Sequence, residues 1–335
     1  MKFLITGIAG FIGYHIAKSL SEQGHTIVGI DNFNSTIYTN KLKYDRIRQL
    51  GFSNADIDNI KTNTEYEIIS KNGNITIFYG DISDKETLEY IFKAQQEDEK
   101  FDCIIHLAAI PNTRLTSEYY DQIVSTNING TYNLFECVRL YSKDSKVIYA
   151  SSSSVYGVHV KSLYAMTKQC DENIAEFYAN MYNIKTIGIR PFTVYGPYCR
   201  PDMAIHKFTN CIINNLPLQM YNNGNNSRAF TYIDDFVKCV NLIIHSDQQN
   251  IYTLYDVGST TSTKVSSIVE KLSNILNKKP YIEMCPQNEN DVQITNTDMS
   301  LFKRDYNYVP DASIDDGLKK YIEWHRSYYN NYNKY

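Results

Sequence analysis

The strongest constraint on this chain is an alternation of two kinds of segment. Short apolar runs rich in β-branched residues are Lys2 to Thr6, Thr26 to Ile30, Ile75 to Tyr79, Cys103 to Leu107, Lys146 to Ala150 and Thr186 to Ile189. Between them, Ile12 to Gln23, Lys85 to Gln95, Asn127 to Tyr141 and Tyr164 to Tyr182 carry apolar residues at i, i+3, i+4 and i+7, the period of a helix. Strands that alternate with helices build βαβ units, whose crossovers cover both faces of a parallel sheet. The expected fold is therefore α/β: a Rossmann-type doubly wound parallel sheet with a smaller α/β substrate-binding domain attached.

The polar segment Asn34 to Asn74 is too long for an ordinary βα connection and is expected to hold a helix around Leu42 to Leu50. After Pro191 the rhythm loosens into loops punctuated by Gly and Pro. Residues 1–190 plus about 230–258 are expected to form the sheet domain, and about 191–229 plus 259–328 the smaller one. The Tyr- and Asn-rich end, Tyr328 to Tyr335, has no apolar period, which predicts a frayed tail over 329–335.

Composition narrows the function. With 335 residues, 43% of them hydrophobic, the chain can bury a large core. A formal net charge of −4, from 33 basic and 37 acidic residues, supplies no basic field, so no nucleic-acid partner is expected. The seven cysteines form an odd, scattered set without a CxxC pair, the pattern of reduced thiols in a cytoplasmic protein, and no metal site is expected. Met1-Lys2 leads at once into Phe3-Leu4-Ile5, and glycines break the apolar stretch that follows, so neither an export signal nor a membrane span is expected.

The first strand ends in Thr6-Gly7-Ile8-Ala9-Gly10-Phe11-Ile12-Gly13 and leads into a helix, with Asp31 closing the second strand. Gly7, Gly10 and Gly13, spaced GxxGxxG, permit a tight turn and bring backbone N–H groups against a pyrophosphate at the helix N-terminus. An acid at the next strand end binds the adenosine ribose and repels a 2′-phosphate, so Asp31 predicts NAD rather than NADP. Asp81-Ile82, after the third strand, are placed to bracket the adenine. Leu107-Ala108-Ala109, after the fourth, are placed to lie along the cofactor.

Tyr164 and Lys168 stand four residues apart at the start of a predicted helix, so they share one face. Upstream, Ser151 to Ser154 close the fifth strand, at the carboxyl end where open α/β sheets bind ligands. A phenol of ordinary acidity, pKa about 10, is a poor base at neutral pH, and a neighbouring ammonium stabilises its phenolate. Tyr164, Lys168 and Ser152 are the candidate catalytic set. His106, alone at a strand end, is expected to be a satisfied structural residue.

These motifs, with His106-Leu107-Ala108-Ala109, Asn127 to Thr131, Ala150 to Gly157, Ser162 to Lys168 and Arg190 to Pro197, resemble the extended short-chain dehydrogenases/reductases. Arg200-Pro201-Asp202-Met203-Ala204, Ser227 to Asp235 and Asn290-Asp291-Val292 make the chain most similar to the UDP-glucuronate 4-epimerases. The resemblance implies that Phe11, Ile12, Asn32 and Asn127 join the NAD site. It also implies that Ser153, Ser154, Thr193, Arg200, Lys207, Arg228 and Asp291 contact a nucleotide-diphosphate sugar. Arg228 would clasp the diphosphate through its bidentate geometry, while Thr193 and Lys207 match positions of contacts to a C6 carboxylate. A homodimer through the helices beginning near Asn127 and Tyr164 is implied as well. The chain departs from the family pattern in keeping only Val158-His159-Val160-Lys161 between Gly157 and Ser162, in Ala229 where an aspartate is usual, and in Pro191 where an aromatic is.

Dehydratases resembling this chain carry a Thr-Asp-Glu trio where Ser152-Ser153-Ser154 stand here, because eliminating water needs an added acid and base. Decarboxylating members carry a glutamate at the position of Ser154. The expected reaction is therefore C4 epimerisation of a nucleotide sugar, UDP-glucuronate foremost. Two alternatives stay open: a 4-dehydrogenase that releases its keto sugar, and a catalytically silent NAD-binding scaffold or sensor.

Overall fold

The computed structural model describes residues 1–62, 67–70, 73–96, 100–111, 116–156, 162–247, 249–287 and 294–332. Asp291 and the short 158–161 segment lie outside the described residues. Eight strands form one mixed sheet in the order Tyr252–Val257, Thr186–Pro191, Lys146–Ala150, Cys103–His106, Lys2–Thr6, Thr26–Asp31, Ile75–Tyr79, Glu67–Ile69. All six expected strands are present, within two residues at each end. The two extra ones are Tyr252–Val257 at one edge and the three-residue Glu67–Ile69, which runs antiparallel to its neighbour, at the other.

Lys2–Thr6 sits centrally, with Phe3 opposite Ile27 on one side and Cys103 on the other. The chain builds the sheet outward first to one side of this strand and then to the other. Strand order reverses here, and ligands of open α/β sheets bind beyond the carboxyl ends of the strands at such a point. Leu4, Val28, Ile104 and Val147 from the sheet pack on Leu88, Ile91, Leu134, Phe135, Val138, Ala175 and Tyr178 from helices Lys85–Gln96, Gly130–Tyr141 and Leu163–Tyr182. Each such side chain contributes roughly 1.5–3 kcal/mol by leaving water, which fixes the helices on which the site is built. The expected helix around Leu42 to Leu50 is Lys41–Gln49, followed by a second, Asn54–Thr62. The helix expected from Asn127 begins earlier, as Tyr120–Val124, and passes through a π-helical turn, Ser125–Asn129, before Gly130–Tyr141.

The chain divides into two compact units, Met1–Arg190 with Ile243–Tyr255, and Pro191–Leu242 with Asp256–Tyr335. The return into the first unit starts at Ile243 rather than near 230, because most of helix Ile233–His245 packs with the second. That unit is itself α/β, with parallel pairs Pro217–Tyr221/Tyr281–Cys285 and Val194–Tyr195/Thr231–Tyr232 and the antiparallel pair Ser227–Ala229/Ser262–Lys264. The frayed tail expected from 329 is instead helical to Tyr332, as the end of helix Ile314–Tyr332. Rings replace aliphatic side chains there. Tyr328 stacks on Trp324 at 5.2 Å, Tyr329 lies 4.5 Å from His325, and the Tyr329 hydroxyl meets His206 Nε2 at 3.2 Å. Among the described residues no helix is long and apolar enough to cross a membrane, and no cluster of three or more His, Cys, Asp or Glu could hold a metal ion.

Candidate active site

The glycine loop fits a dinucleotide for reasons visible in its geometry. Gly7 has φ +74°, and a Cβ there would sit 2.9 Å from the backbone of Ala108. A Cβ on Gly13 would sit 2.2 Å from the Gly7 carbonyl oxygen, so only glycine lets helix Phe11–Glu22 approach the loop so closely. That helix starts from Gly10 with no side-chain cap and no acid in its first turn. Its leading N–H groups and the positive end of its dipole are thus left to an anion such as a pyrophosphate.

Asp31 is buried where the second strand ends. Its Oδ2 accepts from the Ala9 N–H at 3.1 Å, and its Oδ1 accepts from the Phe33 N–H at 2.8 Å and from Lys43 Nζ at 3.3 Å. Phe33 holds a left-handed φ of +49° while stacking on Tyr44 at 5.3 Å and Tyr79 at 6.1 Å, so this corner stores backbone strain held in place by ring packing. Arg46, fully buried, donates to the Ala9 carbonyl at 2.9 Å and to the Tyr38 hydroxyl at 2.8 Å, fastening the loop from behind. Asn32 Nδ2 donates to Asp81 Oδ2 at 2.7 Å, which joins the ends of the second and third parallel strands. The Ile82 side chain turns into the core, where it fills the space above Gly130. That burial leaves the backbone of Ile82, rather than its side chain, as the part available to an adenine.

His106 lies opposite Thr6 in the register. Thr6 Oγ1 accepts from the N–H groups of Leu107 and Ala108, both at 3.1 Å, and donates to His106 Nδ1 at 2.7 Å. His106 Nε2–H then donates to Thr131 Oγ1 at 3.0 Å, whose own hydrogen goes to the Asn127 carbonyl at 2.5 Å. Each hydroxyl has one hydrogen, so this chain fixes the Nε2–H tautomer. Burial, aided by the Lys168 ammonium, holds the His106 pKa down to about 3, and the ring stays neutral and structural. Asn127 sits in the π-turn, a feature often found at functional sites. Its side chain ties Ile110 N–H (2.8 Å) to Thr167 Oγ1 (3.0 Å), so it clamps the loop after the fourth parallel strand to helix Leu163–Tyr182.

Helix Leu163–Tyr182 begins on the cap of Ser162, which accepts from the Ala165 N–H at 3.2 Å. Tyr164 is partly exposed, whereas Lys168 is 3% exposed and donates to the Ala150 carbonyl at 2.9 Å, immediately before the serine run. Ser152 Oγ accepts from Ser154 Oγ at 2.9 Å and from the Ser154 N–H at 3.2 Å. Asp171, Glu172 and Arg190 matter to this arrangement and are not among the site residues expected from sequence. Asp171 Oδ2 accepts from Lys168 Nζ at 2.9 Å. Glu172 takes Arg190 bidentately, both contacts at 2.7 Å, and also accepts from Ser151 Oγ at 2.5 Å. Their spacing of three and four residues beyond Lys168 was the signal that could have found the two acids. Burial lowers the Lys168 pKa, but the Asp171 and Tyr164 charges outweigh it and the net shift is upward.

In the second unit, Arg200 is already engaged, gripping Asp202 through two contacts of 3.0 and 2.6 Å. Arg228 Nη1 donates to the Ser227 carbonyl at 2.9 Å, Thr193 accepts the Thr231 N–H at 3.0 Å through its backbone, and Lys207 is exposed on helix Ala204–Ile213.

A glycine loop opening onto a helix N-terminus, with a tyrosine and a buried lysine beside the strand ends, defines an NAD-dependent enzyme of the dehydrogenase/epimerase class. Residues 3–258 match the NAD dependent epimerase/dehydratase family, and the chain belongs to that family, with NAD as its cofactor. It is 34% identical to Protein CapI of Staphylococcus aureus, over 98% of this chain and 99% of that protein. It is also 34% identical to UDP-glucuronate 4-epimerase 4 of Arabidopsis thaliana, over 97% of this chain and 75% of that one. The crystal structure of UDP-glucuronic acid 4-epimerase from Bacillus cereus, in complex with UDP-glucuronic acid and NAD, matches with a TM-score of 0.84. Its identity is 28%, with 98% of this chain and 100% of that chain covered.

Proposed function

We propose that the protein is a nucleotide-sugar C4 epimerase that interconverts UDP-glucuronate and UDP-galacturonate. The observation that carries this reading is the site's content: Tyr164 and Lys168 stand beside a serine segment, Ser152-Ser153-Ser154, that contains no acid able to drive dehydration. The substrates in the names of its relatives support the sugar. NAD, when bound, supplies a reversible acceptor for the C4 hydride. Tyr164 as phenolate takes the C4 hydroxyl proton, Ser152 hydrogen-bonds the same oxygen, and Lys168 stabilises the phenolate. After the 4-keto sugar turns its other face, Tyr164 returns the proton to the oxygen. In the second unit, Arg228 is assigned to the diphosphate and Lys207 with Thr193 to the C6 carboxylate. Incubation with UDP-glucuronate without added reductant, followed by NMR, should yield UDP-galacturonate. Accumulation of a keto sugar instead would make the protein a dehydrogenase, and no turnover of any nucleotide sugar would make it a scaffold.

A 4-keto uronic acid is a β-keto acid and loses carbon dioxide unless its carboxylate is held. Lys207→Ala should therefore lower kcat/KM for UDP-glucuronate about tenfold or more, the worth of a charge-assisted contact, and should release decarboxylated pentose. An equal effect on UDP-glucose would show that Lys207 does not read the carboxylate.

We also propose a homodimer. Tyr132 and Leu140 on helix Gly130–Tyr141, and Phe177 and Met181 on helix Leu163–Tyr182, are 47, 46, 50 and 63% exposed. On each helix the pair repeats at multiples of four, forming an apolar stripe. Sedimentation should give a dimer for the parent chain and a monomer for Phe177→Glu/Met181→Lys. A monomeric parent at micromolar concentration would sink the proposal.

A further inference from the structure

Asp171 is a carboxylate buried at the heart of the catalytic helix. It is 1% exposed, its Oδ2 holds the Lys168 ammonium at 2.9 Å, and its Oδ1 has no hydrogen-bond partner among the described residues. Thr131 approaches it from the neighbouring helix, but the Thr131 hydrogen is committed to the Asn127 carbonyl. Lys168 in turn is fixed between this carboxylate and the Ala150 carbonyl. We propose that Asp171 is a positioning residue which keeps Lys168 charged and aimed at the strand end, and thereby sets the pH window of the Tyr164–Lys168 pair.

The physical basis is charge balance in a site of low dielectric. A buried ammonium alone tends to lose its proton, and a carboxylate in contact opposes that loss. The same negative charge weakens the field that Lys168 exerts on the Tyr164 phenolate. Asp171 therefore raises the proton affinity of Lys168 and opposes a second negative charge beside it.

The other groups around it are already committed. His106, beside Lys168, is neutral because burial pushes its pKa down to about 3. Glu172 is taken by Arg190 and Ser151. Burial raises the Tyr149 phenol well above its ordinary value, and its hydroxyl meets that of Tyr252 at 2.8 Å. Burial also raises the Cys170 thiol, so it carries no charge at neutral pH. Burial likewise raises Asp171 itself, opposed by Lys168. The ion pair is thus the state to test against a proton shared between the two groups.

This inference rests on the catalytic assignment of Tyr164 and Lys168, and its test separates the two. Phenolate absorbance of the NAD holoenzyme, minus that of its Tyr164→Phe counterpart, isolates the titration of Tyr164 without any substrate. In the Asp171→Asn background that transition should move to lower pH by about one unit, as removal of one nearby charge implies. Both limbs of the rate profile with UDP-glucuronate should move with it, while Asp171→Glu should stay near the parent. Should Asp171→Asn fail to fold, Asp171→Ser makes the same charge change with room for a water. An unmoved transition in a folded, NAD-loaded variant overturns the proposal. An active Tyr164→Phe enzyme overturns the catalytic assignment instead, and leaves the spectroscopic shift to stand or fall alone.

Discussion

Replacing Tyr164 by phenylalanine should reduce hydride transfer from UDP-glucuronate by roughly a hundredfold or more, the usual worth of a positioned general base, while fold and bound NAD remain. Only the phenolic oxygen is removed. The backbone carbonyl of Tyr164, which accepts from Thr167 Oγ1 at 2.8 Å, and the Ser162 cap are untouched, so the helix start keeps its shape. Appearance of reduced nicotinamide in a single turnover, with NAD content assayed after denaturation, measures both halves of the expectation. A variant that reduces its cofactor at the parent rate would exclude Tyr164 as the base.

The second large effect is on stability. Lys168→Met removes the ammonium from a contact in which the side chains are 4% and 1% exposed, and leaves Asp171 buried without its partner. Breaking a buried pair from one side costs about 3–5 kcal/mol. The sign of the pH dependence follows from Asp171. With Lys168 gone, desolvation alone acts, and it raises the carboxyl in the folded state above its unfolded value. The folded state then binds the proton more tightly, so the lost stability returns as pH falls through that raised value and is absent above it. Denaturant unfolding at about pH 8 and about pH 5 should therefore show a larger deficit at the higher pH. The double variant Lys168→Met/Asp171→Leu should recover most of the loss, since both charges then leave together. Equal deficits at both pH values would mean that Asp171 is not the orphaned charge.

How much of this was legible depended on whether a segment's partners lie in its own pattern. Cys103 to Leu107 and Lys146 to Ala150 are continuous apolar runs because both faces of a parallel strand are covered, and each was found within a residue. Tyr252–Val257 is hidden in the sequence because its buried face holds Thr253 while its other face holds Tyr252 and Leu254, which blurs the alternation of a half-buried strand, and Glu67–Ile69 because three residues carry no period. The end of helix Ile314–Tyr332 was misread as a tail because its contacts are rings four apart, Trp324 with Tyr328 and His325 with Tyr329, and aliphatic periodicity does not register them. The glycines announced themselves through spacing and context. Asp171 did not, because an acid three residues past a lysine on a helix is ordinarily a solvated pair, and only the packing around it shows that it is buried.

The π-turn at Ser125–Asn129 carries a further consequence. A single extra residue in the winding acts as a phase shifter between Tyr120–Val124 and Gly130–Tyr141. Deleting it would restore even α winding and rotate everything upstream by about 100° around the axis. Asn127 would then swing off the line that joins Ile110 to Thr167, although every amino acid in contact with it stayed the same. The register of the loop at Ile110 against helix Leu163–Tyr182 is thus written in the length of this segment as much as in its composition.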